Sequence, residues 1–170
     1  MAVIEAIATV YCEAAVASVT FSTLGSYEHL QLRINAKTDS SGDYLALHLT
    51  LNGDTGTNYS NHRIEGYGTS TAASAATGST SSYSFFSDSG GTGSAEYGGV
   101  IINIYDYLNA NKNTAIAGIA SASIGGDSPR VSFGSSTWDN TAAVTSVTLN
   151  PSGANFVRGS ELTLFGLASS

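Results

Sequence analysis

Basic residues are scarce in this chain, and the few that occur do not cluster. Six lysines and arginines stand against 13 acidic residues, which leaves a formal net charge of −7. Nucleic-acid binding needs a run of cations that neutralises several phosphates, and an anionic membrane repels an acidic surface. The composition therefore predicts neither a nucleic-acid partner nor a membrane partner. The basic positions are Arg33, Lys37, Arg63, Lys112, Arg130 and Arg158.

The sequence also offers no pair of cysteines for a disulfide and no segment that could form a membrane-spanning helix. Cys12 is the only cysteine, so no disulfide can form within the chain, and we expect Cys12 to be a small apolar side chain in a strand or core. No apolar run approaches the roughly 18 residues of a membrane helix. The first residues lack the basic start of a signal peptide, and Glu5 interrupts their apolar character. We therefore expect a soluble intracellular product or a component of a particle assembled in the cytoplasm.

The remaining composition favours strands. Charged residues make up only 11% of the chain and hydrophobic residues 42%, which is too apolar for disorder and too poor in Glu, Lys and Leu for a helical bundle. Valine, isoleucine, threonine and tyrosine recur in short runs, as in β-strands. The 170 residues suit one domain with its own core. The composition predicts a single all-β domain over residues 1–170.

Alternation of apolar and polar residues locates the strands. The clearest case places Leu30, Leu32, Ile34 and Ala36 on one face. For 4–12 a helix fits almost as well as a strand. Without a convincing amphipathic helix, the set predicts an antiparallel two-sheet β-sandwich of jelly-roll type. The predicted strands are 4–12, 17–22, 30–36, 44–51, 61–67, 99–108, 114–124, 130–133, 142–150 and 161–167.

A low-complexity insertion interrupts these strands at about 68–98. Glycine, serine, threonine and alanine account for 25 of its 31 residues, so it buries too little apolar surface to offset its ordering entropy. One interpretation is a flexible surface loop. The other starts from Tyr83, Phe85 and Phe86, because exposed aromatics in a polar loop are typical of protein interfaces. We favour the second, in which the three aromatics anchor contact with a neighbouring subunit.

Catalytic and metal-binding patterns are hard to find. The histidines, His29, His48 and His62, lack the spacing of a metal site. A triad of His48 or His62 with Asp54 and a serine would arise by chance in so serine-rich a chain, and no nucleophile elbow occurs. We predict a protein that is not an enzyme and has no catalytic residues, no metal and no cofactor.

Acidic residues in turns leave one alternative open. Asp39, Asp43 and Asp54 lie in turns, where carboxylates usually cap backbone N–H groups. Together with loop carbonyls they would also suit Ca²⁺, although their spacing differs from that of an EF-hand loop.

Trp138 also has two interpretations. As the only tryptophan, it is either a large core anchor or an exposed platform for a sugar ring. An exposed ring would make it a glycan-binding residue.

Residues 51–60 form the most recognisable stretch. They follow an apolar run and begin a loop that contains Asn52-Gly53-Asp54. Asn-Gly is typical of a tight turn with positive φ. This stretch, with 27–33, 138–147, 155–156 and 162–166, resembles the virion structural proteins of tailed bacteriophages. The resemblance implies a jelly-roll-like sandwich that works by surface contact, without catalytic residues.

The resemblance also sets the functional expectations. It favours a capsid decoration or cement protein on the outer head surface, with head-fibre and tail-fibre domains as other members of the group. The expected partners are the phage major capsid protein, copies of the chain itself in a homotrimer, or both. The expected location is the virion surface, after synthesis in the cytoplasm of the bacterial host. The alternative is a carbohydrate- or receptor-binding module on a tail or fibre.

Overall fold

The computed structural model describes residues 3–42, 44–89, 96–122 and 129–168. Within these ranges the regular structure is entirely β, and no helix is long and apolar enough to cross a membrane. The described residues form twelve strands: β1 Val3–Tyr11, β2 Val19–Phe21, β3 His29–Thr38, β4 Tyr44–Leu51, β5 Tyr59–Tyr67, β6 Ser70–Ser79, β7 Ser82–Ser89, β8 Gly98–Ile104, β9 Thr114–Ala122, β10 Arg130–Trp138, β11 Val147–Pro151 and β12 Glu161–Ala168.

The strands form two antiparallel sheets that pack against each other. The large sheet has the order β1-β12-β3-β8-β9-β10-β5-β6, and the small sheet has the order β2-β11-β4-β7. The end of β3 also runs parallel to β7 over Lys37 and Thr38, which joins the sheets at one side. The predicted all-β sandwich of two antiparallel sheets is therefore confirmed.

The core lies between the sheets, and alternation along each strand fills it. In β3, Leu30, Leu32, Ile34 and Ala36 are buried as predicted. Burying one such leucine or isoleucine side chain contributes about 1.5–3 kcal/mol. Cys12 is also buried in the core, where burial raises the pKa of its thiol. Cys12 is thus the small core side chain that the sequence indicated.

The predicted insertion at 68–98 is wrong as a surface loop, because it contains β6 and β7. β6 pairs along β5 at the edge of the large sheet, and β7 pairs with β4 in the small sheet. Backbone hydrogen bonds to an ordered neighbour stabilise β6, which has no large side chain, and Phe85 also anchors β7 in the core. Composition could not show this, since it does not report strand pairing: β6 pairs with the preceding strand, and β7 with a strand that is distant in sequence.

A β-bulge in β7 decides which of its side chains reach the core. Leu47 pairs with Phe85, but Leu49 pairs with Ser82, so β7 contains one residue more than β4 between these two pairs. The extra residue lets Ser82 and Phe85 both face inward although they are three positions apart. Strict alternation would place them on opposite faces.

Strand ends differ from the prediction where the backbone turns. β8 stops at Ile104 rather than 108, and Asp106 adopts a positive φ of 46°. β10 continues to Trp138, and β11 begins only at Val147.

Candidate interaction surface

The three aromatics predicted as interface anchors do not form one exposed cluster. Phe85 is fully buried in the core, so its predicted role as a surface anchor is wrong. Tyr83 is half-buried, and its ring stacks on His48 with the ring centroids 5.8 Å apart. The side chain of Phe86 lies outside the described part of the structure.

Trp138 is a core anchor, and the glycan-platform interpretation is wrong for it. Its side chain is buried at the end of β10. Its Nε1–H donates a hydrogen bond of 2.8 Å to Asp54 Oδ2. The ring therefore packs inward, and its polar atom fixes the loop that follows β4.

That loop has the predicted turn. Asn52 and Gly53 both have positive φ, at 54° and 67°, and the Asp54 N–H donates to the Leu51 carbonyl at 2.9 Å. Positive φ at both central residues defines a type I′ turn. The buried Tyr59 hydroxyl accepts a hydrogen bond from the Leu51 N–H, and burial raises the pKa of Tyr59 to about 12.

The acidic turn residues are held by N–H donors. The Asp54 carboxylate accepts hydrogen bonds from Asn58 Nδ2, Trp138 Nε1 and the Gly56 N–H, which lower the pKa of Asp54. The Asp39 carboxylate accepts two from Asn155, which likewise lower its pKa. Both carboxylates thus act as turn caps, as the first interpretation predicted. Asp43, the third candidate for a calcium site, lies outside the described residues.

We expect Asp54→Ala to lower the free energy of unfolding by about 1–3 kcal/mol, because three N–H donors lose a charged acceptor. Asp54→Asn keeps one acceptor oxygen and should cost less. Denaturant titration followed by Trp138 fluorescence measures both. Equal stability of Asp54→Ala and the parent protein would contradict this role.

The same carboxylate predicts a pH dependence. Because the folded pKa of Asp54 lies below its unfolded value, its contribution is fully present above about pH 4 and is lost as the pH falls through the folded pKa. Stability should therefore fall less steeply with acidification in Asp54→Asn than in the parent protein. Identical slopes in thermal melts between pH 5 and pH 2.5 would contradict this expectation.

His48 has a serine partner but does not complete the triad considered from the sequence. Its Nδ1 lies 2.9 Å from the Ser81 hydroxyl, and burial lowers the pKa of His48. Ser81 is buried, with 3% of its surface exposed. Asp54, the proposed acid, is bonded to Trp138 instead. The His48–Ser81 contact therefore has a packing role on the small sheet.

A second polar cluster joins residues that the sequence places far apart. Ligand atoms of Glu28, His29 and Asp106 lie within 4.8 Å of one another. His29 Nδ1 accepts a hydrogen bond from the Asp106 N–H at 3.0 Å, and the Asp106 carboxylate bonds to Lys112, which lowers its pKa. A backbone donor and a lysine already engage these groups, so the cluster stabilises the turn after β8.

An exposed row of large apolar side chains crosses the outer surface of the large sheet. Adjacent strands place Ile101 opposite Ile119, Ile119 opposite Phe133, and Phe133 opposite Ile64. Val131 lies on the same face of β10. We name this group the apolar face. The exposed fractions are 52% for Ile64, 39% for Ile101, 47% for Ile119, 49% for Val131 and 55% for Phe133.

Charge is low on the outer side of the strands that carry the apolar face. β5 contains Arg63 and Glu65, but these alternate with Ile64 and therefore lie on the other side of the sheet. β6, β8 and β9 contain no charged residue. β10 contains only Arg130, whose guanidinium pairs with Glu65 at 2.8 Å. Contiguous apolar surface of this kind is rare on proteins that work alone, and it is typical of a docking surface.

The sequence carries a signal for the apolar face in β8. In β8, Val100, Ile101 and Ile102 are consecutive, so both faces of that strand are apolar. A run of this kind predicts a strand covered on both sides. Among the described residues, the small sheet covers one side of the large sheet and nothing covers the other, which leaves Ile101 exposed.

Comparisons with known proteins return no match for this chain among protein-family models, curated protein sequences or solved structures.

Proposed function

We propose that this chain is a non-enzymatic structural protein of a tailed-bacteriophage particle, which decorates the outer head surface and docks through the apolar face. The observation that carries the docking role is the row Ile101, Ile119, Phe133 and Ile64, which crosses four neighbouring strands and stands at 39–55% exposure. The assignment to a phage particle rests on the resemblance of the five sequence stretches described above.

The contacts made by those stretches support a structural role. Residues 51–60 and 138–147 meet through the Asp54–Trp138 hydrogen bond, and Asn52 Oδ1 accepts hydrogen bonds from the Thr145 and Ser146 N–H groups. Their polar groups hold loops together. The carboxylates of Asp54 and Asp39 and the ring of His48 likewise hydrogen-bond to neighbouring side chains.

A decoration role also fits the energetics of an exposed apolar surface. Contacts that form only in the assembled particle stabilise it by mass action, so modest contacts repeated over many copies have a large total effect. The partners in this proposal are the major capsid protein and further copies of the chain, and the location is the virion surface after synthesis in the host cytoplasm. The receptor-binding alternative no longer has Trp138 as its contact residue.

Particle occupancy tests this proposal. Phage particles assembled without the chain would be mixed with the parent protein, with Phe133→Asp, or with Leu108→Asp as a matched control, since Leu108 is 46% exposed but lies outside the apolar face. We expect saturable binding of the parent protein and the control. Occupancy by Phe133→Asp should fall at least tenfold, because a charge would enter a desolvated contact.

Two outcomes would overturn the proposal. If the parent protein does not bind heads, the decoration role is wrong. If Phe133→Asp binds as well as the parent protein, the apolar face is not the docking surface. Circular dichroism of each variant confirms that loss of binding is not loss of fold.

A further inference from the structure

We infer that the apolar face is covered by a second copy of this chain, in a face-to-face pair related by a two-fold axis. This inference rests on the proposed use of the apolar face for docking, and it names the occupant as a second copy. The pair then binds the head through its remaining surface, and loss of pairing lowers head occupancy because two linked chains bind more tightly than one. A face that binds its own copy must be complementary to itself. The relief, the extent and the charge of this face each bear on that condition.

The relief of the surface is a ridge between two grooves. Val131 lines both grooves and therefore stands on the ridge. One groove, of about 510 Å³, is also lined by Arg33, Ile101, Ile119 and Phe165. The other, of about 550 Å³, is also lined by Ile64, Gly66, Ala73 and Phe133. A ridge flanked by grooves of similar volume can interdigitate with a rotated copy of itself.

The register of the strands gives the position of the axis. Along the row the order is Ile101, Ile119, Phe133, Ile64, on β8, β9, β10 and β5. A two-fold axis parallel to the strands and midway between β9 and β10 places the row of one copy directly against the same row of the other copy. Each Phe133 then packs on the partner's Ile119, and each Ile64 on the partner's Ile101. All four apolar side chains become buried in one operation.

The extent of the face matches what a stable pair needs. Six neighbouring strands, from β3 to β6, lie symmetrically about this axis, which at about 4.8 Å per strand gives a width of about 24 Å. From Val131 to Thr137 the outer residues of β10 span about 20 Å at 3.3 Å per residue. The two copies together would bury on the order of 1,000 Å², which is the area that a specific interface should reach.

Charge favours the same arrangement. The chain carries a net charge of −7, so two copies repel each other over most of their surfaces. β6, β8 and β9 contain no charged residue. In the pair they lie opposite the partner's β3, β5 and β10, so each charged strand faces an uncharged one and no like charges are placed together. The face-to-face geometry yields a closed pair, whereas a trimer needs two different patches on each chain.

Sedimentation equilibrium of the purified full chain tests this inference. We expect the parent protein and Leu108→Asp to be dimers at micromolar concentration. Phe133→Asp and Ile119→Asp should each be monomers, with a dissociation constant raised at least about 100-fold. Circular dichroism must show unchanged strand content in the variants.

Other outcomes separate this inference from the proposed function. A monomeric parent protein, a trimer, or a dimer that persists in Phe133→Asp would each overturn the inference. If the parent protein is monomeric and Phe133→Asp still loses particle occupancy, the apolar face contacts the capsid, and only the proposed function survives. Another outcome is a parent dimer that the Phe133→Asp substitution dissociates but that does not bind to phage heads. In that case only the inference survives.

Discussion

Phe85→Ala should lower the free energy of unfolding by about 3–5 kcal/mol, because a fully buried ring would leave a cavity in a core that cannot close completely. The ring lies between the sheets, with β7 packing over β9 and β10 of the large sheet. This loss would be a large part of the stability of a typical domain. Denaturant titration followed by circular dichroism measures it.

Tyr83→Ala is the matched control for Phe85→Ala. Tyr83 lies on the same strand but is half-buried and stacks on His48. Removing its ring should cost about 0.5–1.5 kcal/mol, the usual value of an aromatic contact. If Phe85→Ala were no more destabilising than Tyr83→Ala, Phe85 would not be a core residue, and its assignment as a surface anchor would have to be restored.

Gly118→Ala should destabilise the protein by about 3 kcal/mol, at the upper end of the usual cost of overpacking. An added Cβ at this position in β9 would lie 2.2 Å from the Ile101 carbonyl oxygen and 3.0 Å from Phe85 Cε1. The nearest atom belongs to the backbone of the neighbouring strand, so relief requires β8 and β9 to separate. The stabilisation from restricting the unfolded chain is only about 0.4–1 kcal/mol, so the clash dominates.

Gly66→Ala is the corresponding control, on β5. There the nearest atom to an added Cβ is Val131 Cγ1 at 3.7 Å, an ordinary van der Waals contact. We expect its stability to stay within about 0.5 kcal/mol of the parent protein, as for surface substitutions in general. A Gly118→Ala protein as stable as Gly66→Ala would show that β8 and β9 do not approach as closely as described.

The sequence pattern was sufficient to predict those strands and turns whose conformation depends on neighbouring residues alone. Period-2 alternation located β3 and β4, because side-chain direction in a strand depends only on neighbouring residues. The Asn52-Gly53 turn was predictable for the same reason, since positive φ is a property of those residues themselves. The low charge and the apolar fraction determined the all-β class.

Only the tertiary structure decided where the ambiguous side chains lie. Phe85 was expected on the surface because its neighbours are small and polar, but pairing with β4 and a bulge in β7 turn its ring into the core. The sequence left two interpretations of Trp138 open. The structure decides between them, because the ring packs inward and its Nε1–H bonds to Asp54, 84 residues away. The apolar face exists because three consecutive strands, β8, β9 and β10, and the distant β5 align their isoleucines and Phe133 in one row. The sequence determined which residues alternate, and long-range strand pairing determined which of the apolar ones remain exposed.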